Sequence, residues 1–158
     1  MKRRTFLLKS ASTAFGFQVV SSHVLRAAEG QNTPNNKIRI AAIGCGGRGG
    51  ADLGAMAGED IVALCDVDDR RAAGSFKKFP KAKRFKDFRK MYDAVGDQID
   101  AVLVATPDHT HAVAIMGAIG RGKHVYSEKP LAHSVAEVRT LRAAALQKKV
   151  ITQVGNKG

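Results

Sequence analysis

The chain has 158 residues, enough for one domain with a sizeable core, and its apolar fraction of 44% excludes wholesale disorder. The net charge of +12 suggests a nucleic-acid partner at first sight. Five of the positive charges precede Glu29, however, and much of the remainder falls in the run Lys77–Lys90, which we interpret as a solvated helix face. Because no groove-reading helix or aromatic stacking platform is visible, we expect no nucleic-acid partner.

Residues 1–29 have the pattern of an export signal. Arg3 and Arg4 precede a moderately apolar stretch, and no apolar run reaches the ~18 residues of a membrane-spanning helix. The adjacent arginines resemble a twin-arginine signal, which predicts recognition by that export machinery and a periplasmic or exported location. An ordinary secretory signal or a lipid-surface anchor is the alternative. Residues 30–36 are polar and turn-rich, and we interpret them as a linker.

Strand and helix patterns alternate over residues 37–158, which we take as a single domain. The predicted strands are Ile38–Ile43, Ile61–Cys65, Lys83–Phe85, Ala101–Ala105, His124–Tyr126 and Val150–Val154. The predicted helices are Arg48–Ala57, Asp69–Phe79, Asp87–Val95, His109–Ile119 and Val135–Lys148. Short apolar strands that are each followed by a helix predict an α/β fold with a doubly wound, mostly parallel sheet of the Rossmann type.

A glycine-rich turn, Gly44–Gly49, joins the first strand to the first helix and has the spacing G-x-G-x-x-G. In this context Gly44 permits a tight turn, Gly46 lets a pyrophosphate approach the backbone, and Gly49 allows close packing of helix and strand. The turn therefore predicts a site for NAD or NADP. A glycine-rich turn in another α/β protein, binding FAD or nothing, is the alternative.

The first turn of that helix adds Gly47 and Arg48, whose N–H groups face a bound phosphate. Arg48 offers an ionic contact as well. Asp66 ends the second strand, where a carboxylate accepts hydrogen bonds from the adenosine ribose and repels a 2′-phosphate. The cofactor prediction is therefore NAD, although Arg70 and Arg71 leave NADP open. For Asp66 alone, a helix-capping role is the alternative.

A polar segment, Thr106–His111, follows the fourth strand at the sheet edge where ligands bind. We predict Thr106, Pro107 and His111 in a helix-start loop near the cofactor, and a structural role is the alternative for each histidine. His109 and His111 do not share a helix face, and no Cys/His spacing suggests zinc, so we expect no metal.

The segment Glu128–Pro130 follows the fifth strand on the same edge. Lys129 is the candidate catalytic residue, because an ammonium group there can hydrogen-bond a substrate hydroxyl, stabilise a developing alkoxide or exchange a proton. Glu128 is placed with the cofactor-binding residues. For Lys129 taken alone, an ordinary surface residue is the alternative, and lysines are more often found in that role.

Together these segments resemble the Gfo/Idh/MocA oxidoreductase family. The resembling segments are Ile43–Gly49, Cys65–Asp66, Ala105–His111 and Ser127–Leu131. The resemblance implies a Rossmann domain followed by an α/β domain with a large open sheet, and NAD(P)-dependent oxidation or reduction of a sugar, inositol or polyol. It also implies that Lys129 contacts the substrate and assists proton transfer, while Glu128 and Pro130 shape the loop.

Members of this family usually carry an acid and a histidine in the second domain, and the sequence up to Gly158 contains no candidate for either. We therefore expect cofactor binding but no turnover by this chain alone, and pairing into a homo-oligomer only when a second domain is present. Two alternatives stay open: an NAD-dependent glycosidase of the same family, and a non-catalytic NAD-binding fragment.

Overall fold

The fold alternates strands and helices throughout the residues that the computed structural model describes, 37–156. The predicted export signal and linker lie outside the described residues. The strands are Arg39–Ile43 (β1), Asp60–Cys65 (β2), Lys83–Phe85 (β3), Ala101–Val104 (β4), His124–Ser127 (β5) and Thr152–Val154 (β6). The helices are Gly47–Ala55 (α1), Asp69–Lys78 (α2), Phe88–Val95 (α3), Asp108–Gly120 (α4) and Val135–Lys148 (α5), with a 3-10 turn at Gly96–Gln98.

The strands form one parallel sheet in the order β3-β2-β1-β4-β5-β6. This confirms the predicted doubly wound α/β fold. The chain runs outward from β1 in one direction and from β4 in the other, so the strand order reverses between these two neighbours. Ligands of open α/β sheets bind in the crevice at this reversal, outside the carboxyl ends of the strands.

Helices cover both faces of the sheet. Alternate residues of β1 divide between two apolar clusters: Ile40 and Ala42 pack with α1 and α2, whereas Ala41 and Ile43 pack with α3, α4 and α5. This period of two is what a strand buried on both faces requires. In residues 37–156, no helix is both long enough and apolar enough to cross a membrane.

Helix and strand boundaries differ from the predicted ones by at most two residues. The side chains of Asp68, Asp87 and Ser134 cap α2, α3 and α5, and Ser134 forms the reciprocal capping box that its spacing to Glu137 indicates. The sixth strand is shorter than predicted and all three of its residues are exposed, because it is the edge of the sheet. By contrast, α1 begins without a side-chain cap, and this end of the helix faces the site.

Candidate functional site

A cleft of about 740 Å³ opens at the carboxyl ends of β1, β2 and β4. Six of the predicted cofactor-binding residues line it: Gly44, Gly46, Arg48, Asp66, Thr106 and Pro107. The other predicted site residues do not line this cleft. Gly47 and Gly49 lie within α1, His111 within α4, and Glu128 and Lys129 directly after β5.

The glycine turn is shaped by close approaches between backbone segments. Gly44 has a φ of +83°, and its N–H donates to the Cys65 carbonyl at 2.9 Å. A Cβ on Gly44 would lie 2.5 Å from the Ala105 carbonyl oxygen, and a Cβ on Gly49 would collide with the Gly44 carbonyl oxygen. The structure thus gives Gly44 and Gly49 the turn and packing functions that their spacing predicts.

Gly46 is packed closely against α2. A Cβ at this position would lie 2.8 Å from the carbonyl oxygen of Arg71, in the first turn of α2. The absence of a side chain at Gly46 is therefore required for packing against α2, independently of any pyrophosphate.

The N-terminus of α1 is open. Gly46 is its N-cap residue, Gly47 follows with a φ of +50°, and no acidic side chain occurs in the first turn. The first N–H groups of a helix lack intrahelical acceptors and carry partial positive charge. This end of α1 is thus equipped to take an anionic group.

Asp66 holds the glycine turn from the neighbouring strand. One carboxylate oxygen accepts from the N–H groups of Cys45 at 2.7 Å and Gly46 at 3.2 Å, and the other accepts from Asp68 N–H at 2.9 Å. The helix-capping role belongs to Asp68, which accepts from the first N–H groups of α2. A carboxylate has about four acceptor sites, so Asp66 retains capacity for a hydroxyl group.

Arg48 is paired with carboxylates, and its guanidinium bridges two parts of the edge. It lies 2.9 Å from Asp52 one turn along α1 and 3.2 Å from Glu128 after β5. The Glu128 side chain is 7% exposed and that of Arg48 is 42% exposed, so the acid is the buried member of this pair. The sequence prediction of a phosphate contact for Arg48 did not include these partners.

Tyr126 and Gly155 lie next to the Glu128 carboxylate of this ion-pair network. The Tyr126 hydroxyl and the Glu128 carboxylate both lie beside Gly155, and burial together with the negative charge of that carboxylate raises the tyrosine pKa. A Cβ on Gly155 would lie 2.5 Å from both the Glu128 carboxylate and the Tyr126 hydroxyl. Sequence reasoning missed Asp52, Tyr126 and Gly155, although the spacing of four residues from Arg48 to Asp52 is a signal for the first.

Of the two arginines that left NADP open, only Arg71 lines the cleft. Its guanidinium lies 3.9 Å from the position of a Cβ on Gly47. The Arg70 side chain is 94% exposed and lies 3.7 Å from Asp68. A cationic group therefore stands beside the open end of α1, contributed by α2.

His111 is the buried histidine of the segment after β4, with 1% of its surface exposed. Its ring nitrogens each lie 2.7 Å from a carbonyl oxygen, Nε2 from Thr106 and Nδ1 from Pro130. The ring thus connects the loop after β4 to the loop after β5. Lys129 is exposed in that second loop, and its bond to Pro130 is cis.

The residues present fit a dinucleotide. The open end of α1 and the glycine turn Gly44–Gly49 are two features of such a site. A third is the Thr106 hydroxyl oxygen, which is buried without a hydrogen-bond partner in a residue that lines the cleft. Buried polar atoms in native proteins are almost always satisfied, so an unpaired one at a cleft marks a place for a ligand atom. In the described part of the chain, no cluster of His, Cys, Asp or Glu side chains is arranged to hold a metal ion.

Comparison with known proteins agrees with this geometry. Residues 38–156 match the family described as Gfo/Idh/MocA, oxidoreductase family, NAD-binding Rossmann fold. The chain belongs to this family. It is an NAD-binding domain of these oxidoreductases, and the family resemblance seen in the glycine turn and the Glu128–Pro130 segment is confirmed.

Two similar proteins have different named activities. The chain is 32% identical to an inositol 2-dehydrogenase of Rubrobacter xylanophilus over 77% of this chain and 35% of that protein. It is 35% identical to a glycosyl hydrolase family 109 protein of Solibacter usitatus over 66% of this chain and 26% of that protein. The chain thus spans about a third of the length of the curated relatives it matches.

A solved structure matches the fold closely. The scyllo-inositol dehydrogenase of Lactobacillus casei, with bound cofactor NAD(H) and scyllo-inositol, superposes with a TM-score of 0.69 at 26% identity. The match covers 76% of this chain and 36% of that one.

Proposed function

We propose that this domain serves hydride transfer between NAD and a carbinol carbon of a sugar or polyol. The bound cofactor supplies the hydride acceptor or donor. The observation that carries the proposal is the convergence of the glycine turn, Asp66, the unpaired Thr106 hydroxyl and Lys129 at one edge of the sheet. The inositol dehydrogenases among the relatives support this substrate class.

In this proposal most of these residues bind the cofactor, and Lys129 acts on the substrate. The open end of α1 and the Thr106 hydroxyl bind polar groups of the dinucleotide, and Asp66 accepts from its ribose while it keeps the turn closed. Lys129 is exposed, so its ammonium group can reach a substrate. There it would hydrogen-bond the reacting hydroxyl and stabilise the negative charge that develops on oxygen.

Cofactor binding is tested on the chain itself by NADH fluorescence titration. We expect saturable binding, with tighter binding of NADH than of NADPH, because Asp66 repels a 2′-phosphate. Lys129→Ala should leave the affinity for NADH within about twofold, since the lysine is assigned to the substrate. The exposed lysine Lys148 on α5 provides a matched control, Lys148→Ala. Failure of the folded wild-type chain to bind millimolar NADH contradicts the proposal.

Catalysis is tested in the protein encoded by the complete reading frame. Sequencing the DNA beyond Gly158 separates an enzyme with a further sheet-rich domain from a non-catalytic NAD-binding fragment. If the frame continues, polyols should be oxidised with NAD, and Lys129→Ala should lower kcat by about a hundredfold, the usual size of an acid–base contribution. Equal loss in Lys148→Ala would remove Lys129 from the mechanism.

A second candidate function is a retaining NAD-dependent glycosidase, favoured by the similarity to a glycosyl hydrolase family 109 protein. Here the hydride taken from the sugar would return to it after the aglycone is eliminated and water is added in its place, so the net reaction is hydrolysis. A chromogenic glycoside separates the two functions: release of the aglycone without net NADH indicates the glycosidase, and NADH accumulation indicates the dehydrogenase.

We also propose export through the twin-arginine pathway. Support comes from Arg3-Arg4 and the weakly apolar stretch that follows, and from the need of a cofactor-binding domain to fold around its nucleotide before transport. Residues 1–36 fused to a folded reporter should direct it to the periplasm. Replacing Arg3 and Arg4 by lysine should abolish export, whereas Lys2→Arg should not.

A further inference from the structure

The ring of His111 is surrounded by hydrogen-bond acceptors. The carbonyl oxygens of Thr106 and Pro130 lie 2.7 Å from Nε2 and Nδ1 respectively. The third neighbour is the Ser127 hydroxyl, 3.5 Å from Nδ1. Ser127 is fully buried and donates its hydrogen to the Glu128 carbonyl at 3.1 Å, so it presents only a lone pair to the ring.

A neutral imidazole cannot satisfy this arrangement. It carries one N–H, and its other nitrogen is an acceptor with a lone pair. In either neutral tautomer, a lone pair on nitrogen would face a carbonyl lone pair at 2.7 Å, inside ordinary contact and with no proton between. The imidazolium form has an N–H on both nitrogens and can donate to both carbonyls.

The distances agree with charged donors. Hydrogen bonds from a charged nitrogen are typically about 2.7–2.9 Å long, and both ring distances fall within this range. Burying a positive charge is costly unless it is paired and hydrogen-bonded, and here the negative ends of two carbonyl dipoles face the ring, one at each nitrogen.

We infer that His111 is a buried imidazolium that joins the loop after β4 to the loop after β5, and that it is a positioning residue for Lys129. Its Nε2–H fixes the carbonyl of Thr106, a residue that lines the cleft. Its Nδ1–H fixes the carbonyl of Pro130, the neighbour of Lys129. The part that concerns Lys129 rests on the proposed function, whereas the protonation state does not.

The protonation state is tested by nitrogen NMR of the histidine rings in the 158-residue chain near neutral pH. Long-range proton–nitrogen correlations distinguish the imidazolium, with both nitrogens protonated, from each neutral tautomer. We expect the imidazolium pattern for His111, with two slowly exchanging ring protons, and the variant His111→Gln identifies its signals by their loss. A neutral tautomer at His111 overturns the inference.

The variant Ser127→Ala tests which neighbours matter. It removes the hydroxyl but leaves both carbonyl acceptors, so the imidazolium signals of His111 should persist. Their replacement by those of a neutral tautomer would contradict the assignment of the two carbonyls as the deciding partners.

The positioning role is tested by acetylation of lysines with and without saturating NADH, read by mass spectrometry. In the wild type, NADH should slow acetylation of Lys129 several-fold and leave the exposed reference Lys148 unchanged. In His111→Gln, whose amide can donate toward one carbonyl but not both, affinity for NADH should stay within about threefold while the protection of Lys129 is lost.

The outcomes separate the two proposals. Retained protection of Lys129 in a folded His111→Gln variant overturns the positioning role. Absence of NADH binding by the wild-type chain overturns the proposed function and the positioning role with it, and the NMR spectrum of the wild type still decides the protonation state. Should His111→Gln fail to fold, the wild-type spectrum and the Ser127→Ala variant decide the protonation state. The variant His111→Asn then takes the place of His111→Gln in the acetylation experiment, where retained protection of Lys129 overturns the positioning role.

Discussion

The two halves of the sheet edge are built by different means. Around β1 and β2, the glycine turn is defined by missing side chains and by backbone N–H groups that donate to Asp66. Around β4 and β5, the loops are held by buried polar side chains, namely His111 between two carbonyls and Glu128 paired with Arg48. The glycine spacing of the turn is visible in the local sequence, whereas the partners of the buried side chains depend on the order of the strands in the sheet.

The largest effect is expected from a substitution in the half of the sheet edge around β1 and β2, where the glycine turn lies. Gly49→Ala places a methyl group against the Gly44 carbonyl oxygen and should cost about 3 kcal/mol of unfolding free energy, at the upper end of overpacking. The matched control is Gly74→Ala in α2, where a Cβ meets open space, and it should stabilise by about 0.5 kcal/mol. Urea unfolding measures both. Equal effects would show that the close approach at Gly49 does not shape the turn.

The next effect concerns the bridge between the halves. Arg48→Ala leaves the buried Glu128 with Tyr126 as its remaining side-chain partner and should cost about 2 kcal/mol, less than a fully buried pair because Arg48 is partly exposed. Arg70→Ala removes an arginine that is 94% exposed and should change stability by less than about 0.5 kcal/mol. Thermal unfolding compares the two, and a similar small loss in both would make the bridge incidental.

A smaller effect is expected where the glycine turn meets the ligand. Asp66→Asn replaces a carboxylate oxygen by an NH₂ group that cannot accept from the turn, and NADH affinity should fall about tenfold, or 1.4 kcal/mol. In Asp68→Asn the helix cap is retained, because Asn also caps well, and affinity should stay within about twofold. Fluorescence titration distinguishes them. An unchanged affinity in Asp66→Asn would assign this acid to the turn alone.

The smallest expected effect concerns Asp87, which lies outside both halves of the sheet edge, and it is recognised by its dependence on pH. The hydrogen bonds and charge of Arg89 lower the pKa of Asp87 from 3.8 to about 2. Because folding lowers its pKa, the Asp87 carboxyl stabilises the fold at pH values above 3.8. This stabilisation is lost as the pH falls toward 2. Asp87→Asn should therefore lower Tm slightly at pH 7, and the difference should vanish near pH 2. A difference that persists in acid would have another cause.

Most of the fold was predictable because its signals are local. Apolar strands such as Ala101–Val104 and capped helices such as Val135–Lys148 appear in the structure within one or two residues of their predicted bounds. The predicted last strand begins two residues too early. Val150 and Ile151 are apolar, but they precede the pairing with β5, which begins at Thr152. Propensity alone does not reveal where an edge strand starts to pair.

The candidate site was predictable in part. Gly44, Asp66 and Thr106 line the cleft as their places at strand ends suggest. The ion pair between Arg48 and Glu128 was not predictable, because Glu128 lies 80 residues away in the chain. The same holds for Gly155, whose lack of a side chain leaves room for Glu128 and Tyr126.

By itself, the sequence determined the alternation of strands and helices, the glycine turn and the family, since each depends on residues close together in the chain. Only the tertiary structure decided which groups face each other across the sheet edge. It placed Gly46 against α2, Arg71 beside the open end of α1, and His111 between two carbonyl oxygens. Such contacts depend on the order of strands in the sheet, which brings distant segments within hydrogen-bond distance.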